Sequence, residues 1–267
     1  MSAERRSKII AVALGVCIVC SILVSTAAVV LNAKQEENKK IEKIKNILIA
    51  GNLYEKGKDV KEIYNSKVEG TIIDLESGQK LDESKYNEEL NVETFDIKDL
   101  AGSPQYGKII PSAQDIAKIK RMPKYMAVYF VKEADELRAI IIPVYGKGLW
   151  STMYGFIALD SDLRTIEGFT FYEHGETPGL GGEVDNPNWK RIWKGKKAFG
   201  DEGEVKIEVI KGRVDPSSQE AMYQVDGLSG STLTTRGVDN LVKFWLGENG
   251  YGPFFDRLRE ESSHEQI

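Results

Sequence analysis

Residues 125–145 read YMAVYFVKEADELRAIIIPVY. Two runs rich in β-branched and aromatic side chains, Tyr125–Lys132 and Leu137–Tyr145, flank the polar residues Glu133-Ala134-Asp135-Glu136. Such residues suit a pleated, buried surface, and a short polar break between two such runs predicts a hairpin. Downstream, Met153–Leu159 and Thr165–Tyr172 form a second pair around Asp160-Ser161-Asp162. Asn186-Pro187 opens a short helix, because Asn suits the N-cap and Pro the first helical position. Val205–Lys211 and Met222–Val225 read as strands, Thr232–Leu246 as a helix and Pro253–Arg259 as a last one. Upstream, Glu83–Pro111 is polar and weakly periodic, a connecting region. Val68–Lys80 suggests a strand with a turn at Ser77-Gly78, and Glu36–Leu53 a helix, with Ile41, Ile44, Leu48 and Ile49 at helical spacing. Strands that follow one another with a few flanking helices place the chain in the α+β class, with a mostly antiparallel sheet.

At the N-terminal end, IIAVALGVCIVCSILVSTAAVVL (residues 9–31) carries no charge. As a helix it would rise ~34 Å at ~1.5 Å per residue, enough for one transmembrane crossing with modest tilt. A cleaved signal peptide is the alternative, but the apolar run continues past the small residues Ser25-Thr26-Ala27. Arg5, Arg6 and Lys8 argue for a cytoplasmic N-terminus; Lys34, Lys39, Lys40, Lys43 and Lys45 argue the other way. Long translocated domains weaken the second argument, yet charge alone does not decide the topology.

Composition narrows the chemistry. The formal net charge is −5, and no Lys/Arg cluster marks a nucleic-acid footprint. The chain has two histidines, His174 and His264, and two cysteines, Cys17 and Cys20. Outside the apolar segment that starves any zinc or haem site of ligands, and a conventional iron–sulfur cluster needs more thiolates than the chain owns. Redox work would therefore fall to an organic cofactor. Cys17 and Cys20 share one face of a helix and read as small apolar residues in lipid, with a role shared with another subunit as the alternative.

Three segments carry candidate chemistry. Asp226-Gly227-Leu228-Ser229-Gly230-Ser231-Thr232-Leu233-Thr234-Thr235 leaves a strand, turns at two glycines and enters a helix. The first amides of a helix lack internal partners and favour anions, so a phosphate here would meet N–H groups and hydroxyls together. The same residues also make an ordinary capped turn. Glu173-His174-Gly175-Glu176-Thr177-Pro178-Gly179-Leu180-Gly181-Gly182-Glu183 is a glycine-rich loop that could lie against an aromatic ring system or be a plain surface turn. In Gly146-Lys147-Gly148-Leu149-Trp150, Trp150 could stack on a planar cofactor, although filling the core is the better expectation for an isolated Trp.

These motifs resemble a known family. DGLSGSTLTT looks like the flavinylation motif of the FMN-binding domain, commonly D-x-x-[ST]-G-A-[ST]. HGETPGLGGE resembles the E-T-P-G-L-G segment of that domain, and GKGLW fits it too. The tail GVDNLVKFWLGENGYGPFFDRLR is similar to the NqrC family of the sodium-translocating NADH:quinone oxidoreductases. The resemblance spans roughly Pro111–Arg259 plus the anchor. It implies FMN held covalently by a phosphoester to Thr232, with Ser229, Gly230, Ser231, Asp226, Glu176, Thr177, Gly179, Leu180, Gly181 and Trp150 around the cofactor. The family has Ala before the acceptor where this chain has Ser231, so two hydroxyls are adjacent. The implied layout is a cytoplasmic N-terminus (1–8), a transmembrane helix (9–31), a stalk and connecting region (32–110), an FMN-binding domain (111–260) and a tail (261–267). The implied role is electron relay, with no complete active site of its own: from an iron–sulfur centre to a second flavin and ubiquinone. It would work in an NADH:ubiquinone reductase complex, with the A, B, D, E and F subunits, that exports Na⁺. An Mg²⁺-dependent flavin transferase would attach the FMN, and the domain would face the periplasm from the inner membrane. The alternatives are the homologous G subunit of the Rnf electron-transport complex and a non-redox, membrane-tethered FMN-binding sensor or adaptor.

Overall fold

A computed structural model describes residues 3–134 and 136–264. Asp135 of the expected hairpin turn, residues 1–2 of the N-terminus and 265–267 of the tail lie outside the described residues. The chain divides into two compact units, Met1–Lys43 and Ile44–Ile267.

The first unit is helical. Helix α1 runs Ala3–Ala50, so the expected anchor and the expected stalk helix form one uninterrupted element. Its stretch Ser7–Asn32 is long and apolar enough to cross a membrane, and it contains the uncharged run at 9–31. Those side chains are exposed throughout, Ile10, Val16, Leu23 and Val30 among them. An uncovered apolar surface of this extent marks a contact with something other than water.

The second unit begins with the last turns of α1, followed by α2 (Val60–Lys67), β1 (Val68–Asp74), α3 (Ile97–Gly102), β2 (Gly107–Ile109) and β3 (Arg121–Pro123). Next come β4 (Tyr125–Glu133), β5 (Glu136–Lys147), β6 (Thr152–Asp160) and β7 (Ile166–Glu173). The chain closes with α4 (Pro187–Arg191), β8 (Glu208–Val209), β9 (Gln224–Val225), α5 (Thr232–Leu246) and α6 (Gly252–His264). The main sheet has the order β1-β4-β5-β6-β7, and every pairing in it is antiparallel. Both hairpins expected from the sequence are present within two residues of their expected ends.

Strands β4 and β5 are buried nearly end to end instead of alternating, because the sheet is covered on both faces. On one face Tyr129 meets Tyr64 of α2, and Ile141 reaches the backbone at Gly51, just past α1. On the other Phe130 packs edge-on against Phe254 of α6. Helix α5 lies along β5. Its buried positions Thr234, Val238, Leu241 and Trp245 recur at i, i+4, i+7 and i+11, a stripe facing the sheet. Trp245 Nε1 donates to the Tyr145 carbonyl at 2.6 Å, and the Tyr251 hydroxyl donates to that of Pro143 at 2.9 Å. Near the helix start, a Cβ at Gly237 would lie 2.5 Å from the Lys147 carbonyl oxygen, so only glycine lets α5 seat on the strand end.

Three sequence expectations need adjustment. The stretch Glu83–Pro111 is more than a connection, since Leu90, Phe95, Ile97 and Leu100 enter the core and α3 is capped by the Asp96 carboxylate. Strand Val205–Lys211 contracts to Glu208–Val209 and pairs in parallel with β9. The last helix extends to His264, beyond the expected Arg259.

Candidate functional site

Strand β9 hands the chain to a six-residue turn, Asp226–Ser231, and then to α5. Gly230 sits at φ +71°, a left-handed conformation that costs glycine little. Asp226 braces the entry to this turn: its carboxylate accepts from the Val214 amide at 2.8 Å, and its carbonyl accepts from Trp189 Nε1 at 2.8 Å. The Thr235 hydroxyl closes the exit, donating to the Ser231 carbonyl at 2.9 Å and accepting from the Leu228 amide at 3.0 Å.

The two adjacent hydroxyls are sorted by this geometry. Ser231 is 7% exposed, and its Oγ donates to Thr234 Oγ1 at 3.0 Å. Thr234 Oγ1 in turn donates to Glu176 Oε2 at 2.7 Å. Thr232 is exposed. No side chain caps the N-terminus of α5, because Ser231, at the N-cap position, turns its hydroxyl to Thr234 instead. The first-turn amides are thus left without a side-chain acceptor beside an accessible alcohol.

Glu176 joins the three segments singled out in the sequence. Its buried carboxylate accepts from the amides of Leu149 (3.1 Å), Trp150 (2.9 Å) and Ser151 (3.1 Å) as well as from Thr234. Burial is the largest single influence on this carboxyl and pushes its pKa up. The hydrogen bonds from Thr234, Trp150, Ser151 and Leu149 together outweigh burial and hold Glu176 below the usual carboxylate range. His174 steadies the same loop. Its Nδ1 accepts from the Glu176 amide at 3.2 Å, which leaves Nε2 to donate to Asp185 at 2.7 Å.

Trp150 does not fill the core, contrary to the expectation for an isolated Trp. It is 66% exposed at the tip of the β5–β6 hairpin, with its backbone held by Glu176. Leu149, Leu180 and Leu233 are exposed as well, and Leu180 Cδ2 lies beside Gly230. Together they leave unusual apolar surface on the loops that Glu176 ties together. Thr177 and Gly179 shape the exposed turn of the glycine-rich loop: the Thr177 carbonyl accepts from Leu180 and Gly182, and Gly179 has φ +76°. Gly181 lies buried next to Thr234 and Glu176.

Asp226, Ser229, Gly230 and Thr232 line a cleft of about 610 Å³. Its other walls were not foreseen: Asn186 and Trp189 around α4, and Lys211 and Arg213 after β8. The signal was present in Lys211-Gly212-Arg213, two cations flanking a glycine at the end of an expected strand. Uncapped helix amides, a glycine turn, two cations, an exposed alcohol and exposed apolar side chains fit a phosphate-bearing, ring-containing group such as FMN.

The FMN-binding domain family matches residues 148–247, which contain the hairpin tip, the glycine-rich loop and the whole turn into α5. The NqrC subunit of the Na(+)-translocating NADH-quinone reductase from Pseudomonas aeruginosa is 45% identical over 260 residues, covering 96% of this chain and 97% of that protein. The corresponding subunit of Vibrio alginolyticus is 40% identical over 253 residues, covering 95% of each. The chain belongs to the NqrC family of the Na(+)-translocating NADH-quinone reductases. Solved members have the same fold. The crystal structure of Shewanella oneidensis NqrC superposes with a TM-score of 0.75 at 34% identity, covering 84% of this chain and 99% of that one. That of the same subunit from Parabacteroides distasonis gives 0.63 at 28% identity, covering 84% and 96%. An NqrC subunit carries an FMN-binding domain and belongs with the other subunits of a membrane-bound complex.

Proposed function

We propose that this subunit holds FMN by a phosphoester to Thr232 and relays electrons from an iron–sulfur centre of neighbouring subunits towards a second flavin and ubiquinone, within a complex that couples the transfer to Na⁺ export. The observation that carries the attachment site is the contrast between adjacent alcohols: Ser231 is buried and bonded, Thr232 is exposed beside the uncapped start of α5. FMN when bound supplies reversible transfer of one or two electrons. The chain's own residues do the rest. First-turn amides of α5 with Lys211 and Arg213 would hold the phosphate. Trp150, Leu180 and Leu233 would exclude water from the ring, and Glu176 keeps the hairpin tip and α5 in one arrangement.

In this reading residues 9–31 span the inner membrane, residues 1–8 are cytoplasmic and the FMN-binding domain, 111–260, is periplasmic. A covalent link suits that side of the membrane, where a dissociated flavin would not be replaced. A flavin transferase completes the cofactor, and the A, B, D, E and F subunits are the partners in the complex.

Intact-mass spectrometry of the full chain, made together with a flavin transferase, tests the attachment. Wild type should carry one added FMN mass, and Thr232→Val should carry none while keeping its circular dichroism. A Thr232→Val protein that still carries the ester would move the site elsewhere. A wild type without added mass would leave a binding module or sensor in place of an electron carrier.

A further inference from the structure

A second cleft, of about 670 Å³, opens between α3, the loop before β3, and the ends of β5 and β6. Five of its lining residues are cationic, Lys98, Lys118, Lys120, Arg121 and Lys147, and none is acidic. That concentration stands against a chain whose net charge is −5. Part of its floor is aromatic, with the Tyr145 and Tyr154 rings stacked at 5.4 Å.

Three of the five cations are already engaged. Lys98 pairs with Glu173 at 2.6 Å and lies over the Tyr154 ring. Arg121 donates to the carbonyls of Ala101 and Ser103, and Lys147 Nζ to that of Trp150 at 3.1 Å. Lys118 and Lys120 are exposed and lie on a loop with left-handed φ at both, +55° and +63°. Asp115 holds this loop by accepting the Ile119 and Lys120 amides at 2.9 and 2.8 Å. Its carboxylate is therefore spent on the backbone beneath the lysines. The acids on the adjoining elements, Asp96, Asp99, Asp115 and Glu173, are fewer than the five cations of the lining, so positive charge remains in excess.

We propose that this cleft docks an acidic segment, one carrying several Asp or Glu side chains, of another subunit of the complex. Two features favour carboxylates on a chain over a bound phosphate. The rim amides that could cradle a phosphate are occupied, since those of Lys98, Ile119 and Lys120 already donate to Asp96 and Asp115. Lys118, Lys120 and Arg121 come from one stretch, the loop into β3, whereas Lys98 stands on α3 and Lys147 at the end of β5, a spread over three elements that suits charges spaced along a strand of partner. The inference rests on the proposed function through its location. Lys147 and Thr152 of the cleft bracket the hairpin tip 148–151, whose Leu149, Trp150 and Ser151 amides are held by Glu176 at the proposed flavin site. A partner seated here would be steered to the flavin by charge, the arrangement that raises encounter rates between redox partners.

The test uses the full-length flavinylated chain in detergent, a fluorescein-labelled hexaglutamate peptide, and a Lys118→Glu/Lys120→Glu variant with Lys118→Gln/Lys120→Gln beside it. Anisotropy should show peptide binding that weakens about tenfold between 20 and 200 mM salt, as screening of exposed charge requires. Affinity should fall in the order wild type, glutamine variant, glutamate variant, with the last about tenfold or more below wild type. In the assembled complex the glutamate variant should slow quinone reduction at low salt and flatten its salt dependence. The ultraviolet-fluorescent FMN band on a denaturing gel should be unchanged. Equal peptide affinity in all three proteins overturns the proposal. So does preferential binding of phosphatidylglycerol vesicles or tripolyphosphate that the variants abolish. Loss of the FMN band from the variant alone would assign the lysines to flavin attachment and also overturn docking. A wild type lacking that band contradicts the proposed function instead, so the two failures are distinguishable.

Discussion

Helix α5 belongs to two regions held together by different physics. Its C-terminal half is fixed by apolar burial: Leu241, Phe244, Trp245 and Leu246 are at most 2% exposed and pack on β5 and the residues leading into α6. Its N-terminal turn is fixed mainly by polar contacts: Ser231 and Thr234 lead to the Glu176 carboxylate, and Thr235 bonds back to the Ser231 carbonyl and the Leu228 amide. Burial is non-directional and tolerant, whereas a buried carboxylate with five donors, the Ser151 hydroxyl included, is directional and loses its purpose if one donor moves. The two halves thus divide the labour. The apolar half supplies the stability, and the polar half sets the positions of loops whose exposed side chains contribute little to folding.

The largest effect should come from breaking the apolar half. Trp245→Ala removes a fully buried indole and its bond to Tyr145, and should cost about 3–5 kcal/mol in urea unfolding, with flavin attachment reduced only in proportion to unfolded material. A folded Trp245→Ala protein with no attached flavin would show that the two halves are not separable. Glu176→Gln should cost less, about 1–3 kcal/mol, because the amide keeps an acceptor but replaces a charged one. Its clearer signature is in pH. A carboxylate with a lowered folded pKa stabilises fully above its unfolded value, and that contribution is lost as pH falls through the folded value. The acid-side decline of stability should therefore be shallower in Glu176→Gln than in wild type, measured by thermal melting across the acidic range. An identical slope would remove Glu176 from its position as the organiser of the site. The smallest effect belongs to Ser231→Ala, about 1 kcal/mol for one buried hydrogen bond, with the FMN mass retained in full. Loss of that mass would reassign the acceptor.

What the sequence disclosed follows the same division. The hairpins at 125–145 and 153–172 and the helix at 232–246 were legible because their signals are local: β-rich runs around polar breaks, and a hydroxyl-rich entry to an amphipathic stripe. The turn at 226–232 and the loop at 173–183 were legible as motifs and by resemblance. Glu176 as the tie between them was not, since its donors lie about 25 residues earlier and 58 later in the chain. Lys211 and Arg213 reach the cleft through a parallel pairing only two residues long, too short to leave a periodic trace. Trp150 was misjudged because an isolated aromatic looks like core until its strand is seen to end at Lys147, ahead of a glycine. Glu83–Pro111 was misjudged because its buried residues are scattered between polar turns.

The burial of Ser231 bears on maturation. A linear peptide of residues 226–235 would offer a modifying enzyme neighbouring alcohols of similar reactivity, while the folded turn presents one of the pair and withholds the other. On the proposed attachment at Thr232, selectivity between them would reside in the substrate's shape, and a uniform product would require folding before modification. Quality control comes with it, because a chain that fails to assemble this turn forfeits the feature by which it would be chosen for loading.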